Sequence, residues 1–321
     1  MEIIELKQYI TNFDTVAEFE TFSATTDYAE PHVSFIKNDN DVIYMPIPPE
    51  TRVVAKYNVT STSSPTQIGP NYGYEVGFSA IEIDGVAQPS VVTAYTFDTL
   101  GEHTVKYTLT DPTTLDAGAF YGCRRLTNII MPNNVTSISG SAFATCSSLT
   151  SINIPSGVTS ISSAVFSGCT SLTSIDIPNS VTTIDRYAFA TCSSLTSINI
   201  PSGVTTIGDS VFHECRSLTS INIPSGVTSI GYDAFYNCSG LTSIEIPSGV
   251  TSIGNLAFYN CSSLTSITSN ATTAPTIQSS TFQNVGLTGT LYVPSGSSGY
   301  DTWMGTSNYY LGKYFWTKVE Q

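Results

Sequence analysis

Seven cysteines recur along the chain at a constant spacing of 23 residues. A Phe stands three residues before each Cys and a Leu three residues after it, and the unit reads L-x-x-I-x-I-P-x-x-V-x-x-I-x-x-x-x-F-x-x-C-x-x. Self-similarity with a period of roughly 20 to 50 residues is typical of solenoids, in which each repeat stacks on its neighbour. The cysteines are Cys123, Cys146, Cys169, Cys192, Cys215, Cys238 and Cys261.

The pattern inside one unit explains why it must stack. Leu149, Ile152 and Ile154 alternate with polar residues, which predicts a half-buried strand. Pro155 has no N–H to donate to a strand ladder, so we expect the strand to end there. One unit cannot bury its own apolar face, and stacked neighbours can. We therefore predict a mainly β fold with a solenoid of about seven 23-residue rungs.

The cysteine column admits two structural readings. Cys is among the most buried residue types, which favours an inward-facing ladder of reduced thiols. Disulfides between neighbouring rungs are the alternative, since a Cα separation of about 5 Å permits them. A metal site is disfavoured because there is no C-x-x-C pair and the histidines are scattered at His32, His103 and His213. We predict no metal and no cofactor.

The repeat motif resembles a known family. L-x-x-I-x-I-P followed by A-F-x-x-C is similar to the BspA-like leucine-rich repeat, over residues 112–269, with a degenerate repeat and aromatic C-terminal cap at 270–321. The resemblance implies a right-handed solenoid that acts in surface adhesion or protein binding, without catalysis.

The residues before the repeats divide into two further regions. Strand-like runs at 50–111 predict a small β-sandwich that covers the first rung, with a tight hairpin at Asp84-Gly85. Tyr95–Leu109 resembles the closing strands of bacterial Ig-like domains. Residues 1–49 are predicted to form a leader or docking segment, either an amphipathic helix at its start or an extended arm, with a β-hairpin turning at Asn38–Asp41.

Two candidate binding surfaces follow from this layout. The outward strand positions form a candidate binding face, which is either a partner site or a solvated sheet face, and Asp176 and Glu245 break its uniformity. Its residues are Asn128, Ile130, Ser151, Asn153, Ser174, Asp176, Ser197, Asn199, Ser220, Asn222, Ser243 and Glu245. Aromatic residues near the C-terminus form either a cap over the last rung or a sugar-binding aromatic platform. The platform candidates are Tyr300, Trp303, Tyr309, Tyr310 and Trp316.

Composition excludes several functions. Only 11% of the residues are charged and the formal net charge is −14, which disfavours nucleic acid as a partner because phosphate binding depends on Lys and Arg. No apolar run approaches the roughly 18 to 20 residues needed to cross a bilayer. Phosphate-binding loops, nucleophile elbows and zinc-protease motifs do not occur. We predict that the protein is not an enzyme.

These observations leave two hypotheses for function. The first residues carry Glu2 and Glu5 rather than a basic export signal, and the layout loosely resembles gut bacteriophage fibres and decoration proteins. The leading hypothesis is a virion surface component whose N-terminal segment docks on another virion or surface protein. Its solenoid would bind bacterial surface or mucus glycans or proteins, and the leader could form a homo-oligomer. The alternative is a bacterial cell-surface BspA-like adhesin whose signal was removed.

Overall fold

A computed structural model describes residues 33–38, 41–46, 52–70, 73–74, 77–307 and 309–321. Residues Met1–Thr51 and Arg52–Gln321 form two separate compact units. In the first unit, β1 (Val33–Asn38) and β2 (Asp41–Pro46) pair antiparallel, which confirms the predicted hairpin. The predicted helix or extended arm at the start of the leader lies outside the described residues.

In the described part of the second unit, six strands precede the repeats. They are β3 (Val53–Val59), β4 (Thr66–Gln67), β5 (Phe78–Ile83), β6 (Val86–Ala87), β7 (Ala94–Tyr95) and β8 (Gly101–Leu109). β4 and β7 form a two-stranded sheet. The hairpin between β5 and β6 turns at Asp84 and Gly85, whose φ angles of 48° and 82° are those a two-residue hairpin of this kind requires.

The remaining strands belong to the solenoid and its C-terminal end. They are β9 (Thr114–Leu115), β10 (Leu126–Ile130), β11 (Ser137–Ile138), β12 (Ser151–Ile152), β13 (Ser160–Ile161), β14 (Thr183–Ile184), β15 (Thr206–Ile207), β16 (Ser229–Ile230), β17 (Ser243–Ile246), β18 (Ser252–Ile253), β19 (Ser266–Ser269), β20 (Gly289–Val293) and β21 (Trp316–Glu320). A 3-10 helix spans Leu311–Tyr314. The solenoid has about nine turns, because parallel pairing continues from β19 through β20 to β21 after the motif decays.

The strands before the repeats and the first repeat strands share one sheet, in the order β12-β10-β3-β8-β5-β6. β3 pairs antiparallel with β10, with Ala55 opposite Ile129. This pairing continues the sheet across residue 111, so the two regions are joined by backbone hydrogen bonds. The domain boundary at residue 111 and the Ig-like likeness stay predictions.

A stack of eight phenylalanine rings runs through the solenoid. Its members are Phe120, Phe143, Phe166, Phe189, Phe212, Phe235, Phe258 and Phe282, with neighbouring ring centroids 5.3 to 5.8 Å apart. Tyr107 and Phe78 pack on Phe120 at one end, so side chains of β5 and β8 cover the first rung, as the cap prediction expected. Trp303 packs on Phe282 at the other end. The apolar core is therefore covered at both ends.

The segment around each stacked Phe contains residues in the left-handed backbone conformation, which the repeat motif does not predict. In seven consecutive turns, from Phe120 to Phe258, the residues two before and two after the Phe both have positive φ, as at Ala164 (57°) and Gly168 (76°) beside Phe166. Backbone amides here bond to the following turn, for example Phe166 N–H to the Ala188 carbonyl at 2.9 Å. Residues other than Gly are strained in this backbone conformation, because their Cβ atom crowds the neighbouring carbonyl.

Relieving this strain should stabilise the protein. Ala164→Gly is expected to raise the free energy of unfolding by about 0.5 to 1 kcal/mol, because Gly adopts positive φ without steric cost. Ala188→Gly is the matched control: Ala188 is fully buried and has no positive φ, so the same change should destabilise by a similar amount. Urea denaturation of both variants measures the effects. Equal destabilisation by both would contradict the strain argument.

The cysteine ladder is confirmed as buried and free of disulfides. Each thiol from Cys146 to Cys261 donates to the carbonyl of the Phe 26 residues earlier, at 3.1 to 3.2 Å; for example, Cys192 bonds to Phe166. Cys123 bonds to the Gly69 carbonyl at 3.5 Å. The ladder therefore satisfies its polar atoms inside the core.

These thiols should be unreactive in the native protein. Burial disfavours the thiolate and raises the pKa of Cys192 to about 12, so the neutral thiol persists across the physiological pH range. We expect a thiol reagent such as DTNB at about pH 8 to label none of the seven rapidly in the native state and all seven in guanidinium. Rapid native labelling of several thiols would contradict the buried ladder.

Candidate binding face

The candidate binding face lies along the strand side of the solenoid. All of its residues are exposed except Asn128, which is partly buried. The alternation behind this is regular: Ile244 and Ile246 of β17 are buried while Ser243 and Glu245 are exposed. The face is therefore an array of short polar side chains held at strand spacing, about 4.8 Å from one rung to the next.

A recess lies on this face near its C-terminal end. It is a cavity of about 360 Å³, and its lining includes Asn222, Glu245 and Asn270 together with Ser225 and Ser248. Asn270 Nδ2 donates to Glu245 Oε1 at 2.8 Å, which orients the carboxylate. The structure thus brings together two of the predicted face residues.

Sequence reasoning missed Asn270 as a site residue. Asn270 stands 23 residues after Pro247, at the position where the earlier repeats carry Pro. The replacement of Pro by Asn is visible in the sequence, but from the sequence alone it indicates only that the repeat motif is being lost. In the structure it supplies an amide to the recess in place of a ring without donors.

Other predicted face residues have structural partners. Asn128 Nδ2 donates to Ser151 Oγ at 2.6 Å, across neighbouring rungs. Asn153 makes two bonds to the backbone of Met131: its Oδ1 accepts from the N–H at 2.9 Å and its Nδ2 donates to the carbonyl at 3.2 Å. Both asparagines use their side-chain amides in these bonds, so less of their bonding capacity remains for a partner.

The prediction of an aromatic platform is wrong for three of its five residues. Tyr300, Trp303 and Trp316 are 1%, 0% and 5% exposed. Their polar atoms bond inward, with Trp303 Nε1 donating to the Pro275 carbonyl at 3.0 Å and Trp316 Nε1 to the Gly286 carbonyl at 2.8 Å. Buried rings present no face to a sugar, so these three residues belong to the cap.

The other two platform residues do not replace the lost surface. Tyr309 is 37% exposed, and its ring already faces the Lys313 ammonium at 4.3 Å. Tyr310 is partly buried. Because three of the five rings are buried, the predicted row of exposed aromatic rings for sugar stacking does not form.

Titratable side chains are sparse around the candidate binding face. Within the described ranges, no group of three or more His, Cys, Asp or Glu side chains could hold a metal ion. His103 Nδ1 lies 2.6 Å from Asp84 Oδ2, and Asp84 Oδ1 accepts from the Thr104 N–H, so these contacts anchor the hairpin between β5 and β6. The described part of the chain also contains no helix of the length and apolar character that crossing a bilayer requires.

The fold and its repeated exposed face define a leucine-rich-repeat solenoid. A family model described as "BspA type Leucine rich repeat region" matches residues 113–242 and 194–302, which is more than half of the chain. The chain belongs to this family. Comparison with curated proteins found no match.

Solved structures of bacterial leucine-rich-repeat proteins are similar to parts of the chain. A leucine rich cell surface protein from Faecalibacterium prausnitzii is 30% identical, with a TM-score of 0.46, and the match covers 76% of this chain and 55% of that one. The T. pallidum leucine-rich-repeat protein is 29% identical, with a TM-score of 0.42, covering 51% and 72%. One from Bacteroides ovatus is 18% identical, with a TM-score of 0.28, covering 92% and 100%. The chain therefore spans about half of the F. prausnitzii protein.

Proposed function

We propose that this chain is a bacterial cell-surface binding protein that adheres to its partner through the candidate binding face. The observation that carries the proposal is the exposed, nearly uncharged array of Ser and Asn side chains along the strand side, with a recess at Asn222, Glu245 and Asn270. Membership of the BspA type family supports a binding role. The protein acts by binding alone, so incubation with surface glycans should release no product.

The physical basis is preorganisation. Ser and Asn have few rotatable bonds, and a solenoid fixes their backbone, so little conformational entropy is lost when a partner docks. The absence of dense charge leaves shape and hydrogen bonding to select the partner. An extended polysaccharide or a flat protein surface can contact several rungs at once. The weak contacts at the individual rungs then combine into a higher overall affinity.

Binding to immobilised mucin and to intact bacterial cells tests this proposal. The double variant Asn222→Ala/Glu245→Ala removes two recess side chains that are exposed and outside the core. We expect at least a tenfold loss of affinity, equivalent to about 1.4 kcal/mol. Periodate treatment of the target distinguishes a glycan partner, whose binding it abolishes, from a protein partner.

Thr183→Ala/Thr206→Ala is the matched control. Both threonines are exposed on the second strand ladder, away from the candidate face. This variant should bind as the parent does. Unchanged binding by the Asn222/Glu245 variant, or equal loss in the control, would exclude the face as the adhesive surface.

The remaining regions would support adhesion. Residues 50–111, with their Ig-like likeness, act as spacer and cap, and residues 1–49 dock on another surface protein or join copies of the chain. The virion component favoured by the N-terminal layout is the competing proposal, and no relative described above is a phage protein. Immunogold labelling separates them: gold on the envelope of uninfected bacteria supports the adhesin, and gold confined to virus particles refutes it.

A further inference from the structure

A second recess lies on the turn side of the solenoid. It is a cavity of about 420 Å³ lined by Arg216, Asn237, Ser239, Asn260 and Ser262. These side chains come from two columns of the repeat, the residue two after the stacked Phe and the residue directly after the Cys. We call this cavity the turn-side recess; none of its residues belongs to the candidate binding face.

A ladder of side-chain amides runs past this recess. Asn237 Nδ2 donates to Glu214 Oε1 at 3.3 Å, Asn260 Nδ2 to Asn237 Oδ1 at 2.9 Å, and Asn284 Nδ2 to Asn260 Oδ1 at 2.8 Å. The ladder fixes the amides in one orientation. Asn237 and Asn260 each use one N–H and one lone pair in it, which leaves a second donor and a second acceptor site on each for a ligand.

The backbone explains why amides occur here. Asn237 and Asn260 have φ angles of 57° and 56°, and Asn tolerates this left-handed region better than most residues. Earlier turns carry small residues or Thr in the same column, at Gly122, Thr145, Gly168 and Thr191. The amide pair is therefore confined to the later turns.

The electrostatics of the recess favour a neutral ligand. Arg216, whose side chain is 58% exposed, lies 3.2 Å from Glu214, so the one charge in the lining is balanced by a carboxylate. An anion would have to compete with Glu214 for the guanidinium. The other lining groups are amides and hydroxyls, which both donate and accept hydrogen bonds as sugar hydroxyls do.

A stack of rings adjoins the amide ladder. His213, Tyr236 and Tyr259 directly precede Glu214, Asn237 and Asn260, with ring centroids 4.8 and 4.7 Å apart and planes nearly parallel. The stack holds three successive turns in register beside the recess. Lining residues attached to turns held in this way lose less conformational entropy when a ligand binds.

We propose that the turn-side recess binds a neutral, hydroxyl-rich sugar unit. Arg216 and the amides of Asn237 and Asn260 orient its hydroxyls, and Ser239 and Ser262 complete the contacts. The cavity volume lies in the range of small-molecule sites, roughly 300 to 1,000 Å³. This site is separate from the candidate binding face, so it does not depend on that face being adhesive.

A glycan microarray that carries neutral and sialylated forms of the same oligosaccharides tests the proposal. The full chain should retain neutral glycans in preference to their sialylated forms, and titration calorimetry on the best neutral glycan gives the affinity. Asn237→Gly/Asn260→Gly removes both amides while keeping the left-handed backbone, as Gly122 and Gly168 do in earlier turns. We expect this variant to lose at least about tenfold in affinity.

Thr145→Gly/Thr191→Gly is the matched control in the same column, outside the recess. It should bind the neutral glycan as the parent does. Retention of no neutral glycan, tighter binding of sialylated forms, or equal loss in the Asn and Thr variants would overturn the proposal. Loss in the Asn222/Glu245 variant alone would place the sugar on the other face and overturn it as well.

Discussion

Phe189→Ala should cost about 3 to 5 kcal/mol of unfolding free energy, the largest effect expected from a single change in the repeats. Phe189 is fully buried, and its ring lies between Phe166 and Phe212 at centroid distances of 5.4 and 5.8 Å. Its removal opens a cavity that neighbouring turns cannot fill, because their own rings are held by the same stack. Urea denaturation followed by circular dichroism measures the loss.

Phe315→Ala is the matched control for this change. Phe315 is 79% exposed, so the same atoms are deleted without a cavity, and we expect a change within about 0.5 kcal/mol. Phe189→Leu should fall between the two, because Leu refills part of the volume. If Phe189→Ala is no worse than Phe315→Ala, the ring stack does not stabilise the solenoid.

Trp303→Ala should cost a similar amount, about 3 to 5 kcal/mol, but its effect should be local. Trp303 is fully buried, packs on Phe282 at 5.2 Å and donates to the Pro275 carbonyl. Its removal exposes the last apolar turn, and in a solenoid each repeat depends chiefly on its neighbours. Hydrogen exchange should therefore accelerate in residues 270–300 while residues 120–190 stay protected.

Two controls separate the cap from a general loss of stability. Trp303→Phe keeps an aromatic ring and removes the indole N–H, so it should cost about 1 to 3 kcal/mol through the unpaired Pro275 carbonyl. Tyr309→Ala, at an exposed ring in the same segment, should change little. Uniform acceleration of exchange along the solenoid in Trp303→Ala would contradict a local cap.

Much of the solenoid could be predicted because its signals are local and repeated. The columns of Phe, Cys, Leu and Ile each recur at a fixed spacing, and a residue type that recurs inside a stack must face the same environment every time. The buried thiols at Cys123 through Cys261 and the alternation in Ser243–Ile246 follow from this logic. The exposure of Asp176 and Glu245 follows as well.

The candidate sites were harder to predict because they arise where the period breaks. Asn270 replaces a motif Pro, and Asn237 and Asn260 replace Gly or Thr, so each looks like noise in a single repeat. Their importance depends on partners in other turns, such as Glu245 for Asn270. The aromatic residues near the C-terminus show the same limit: composition allowed either a cap or a platform, and burial of Trp303 and Trp316 selected the cap.

The sequence by itself determined that this chain stacks 23-residue turns, with Phe, Cys, Leu and Ile inside and Ser, Thr and Asn outside. The reason is that a single repeat cannot bury its apolar face, whereas stacked repeats remove that face from water. Only the tertiary structure decided the features that join distant segments. It paired β3 with β10, closed the ring stack with Tyr107 and Trp303, and placed amides of successive turns in one recess. Those contacts depend on side-chain direction and the packing of whole turns, which no local pattern encodes.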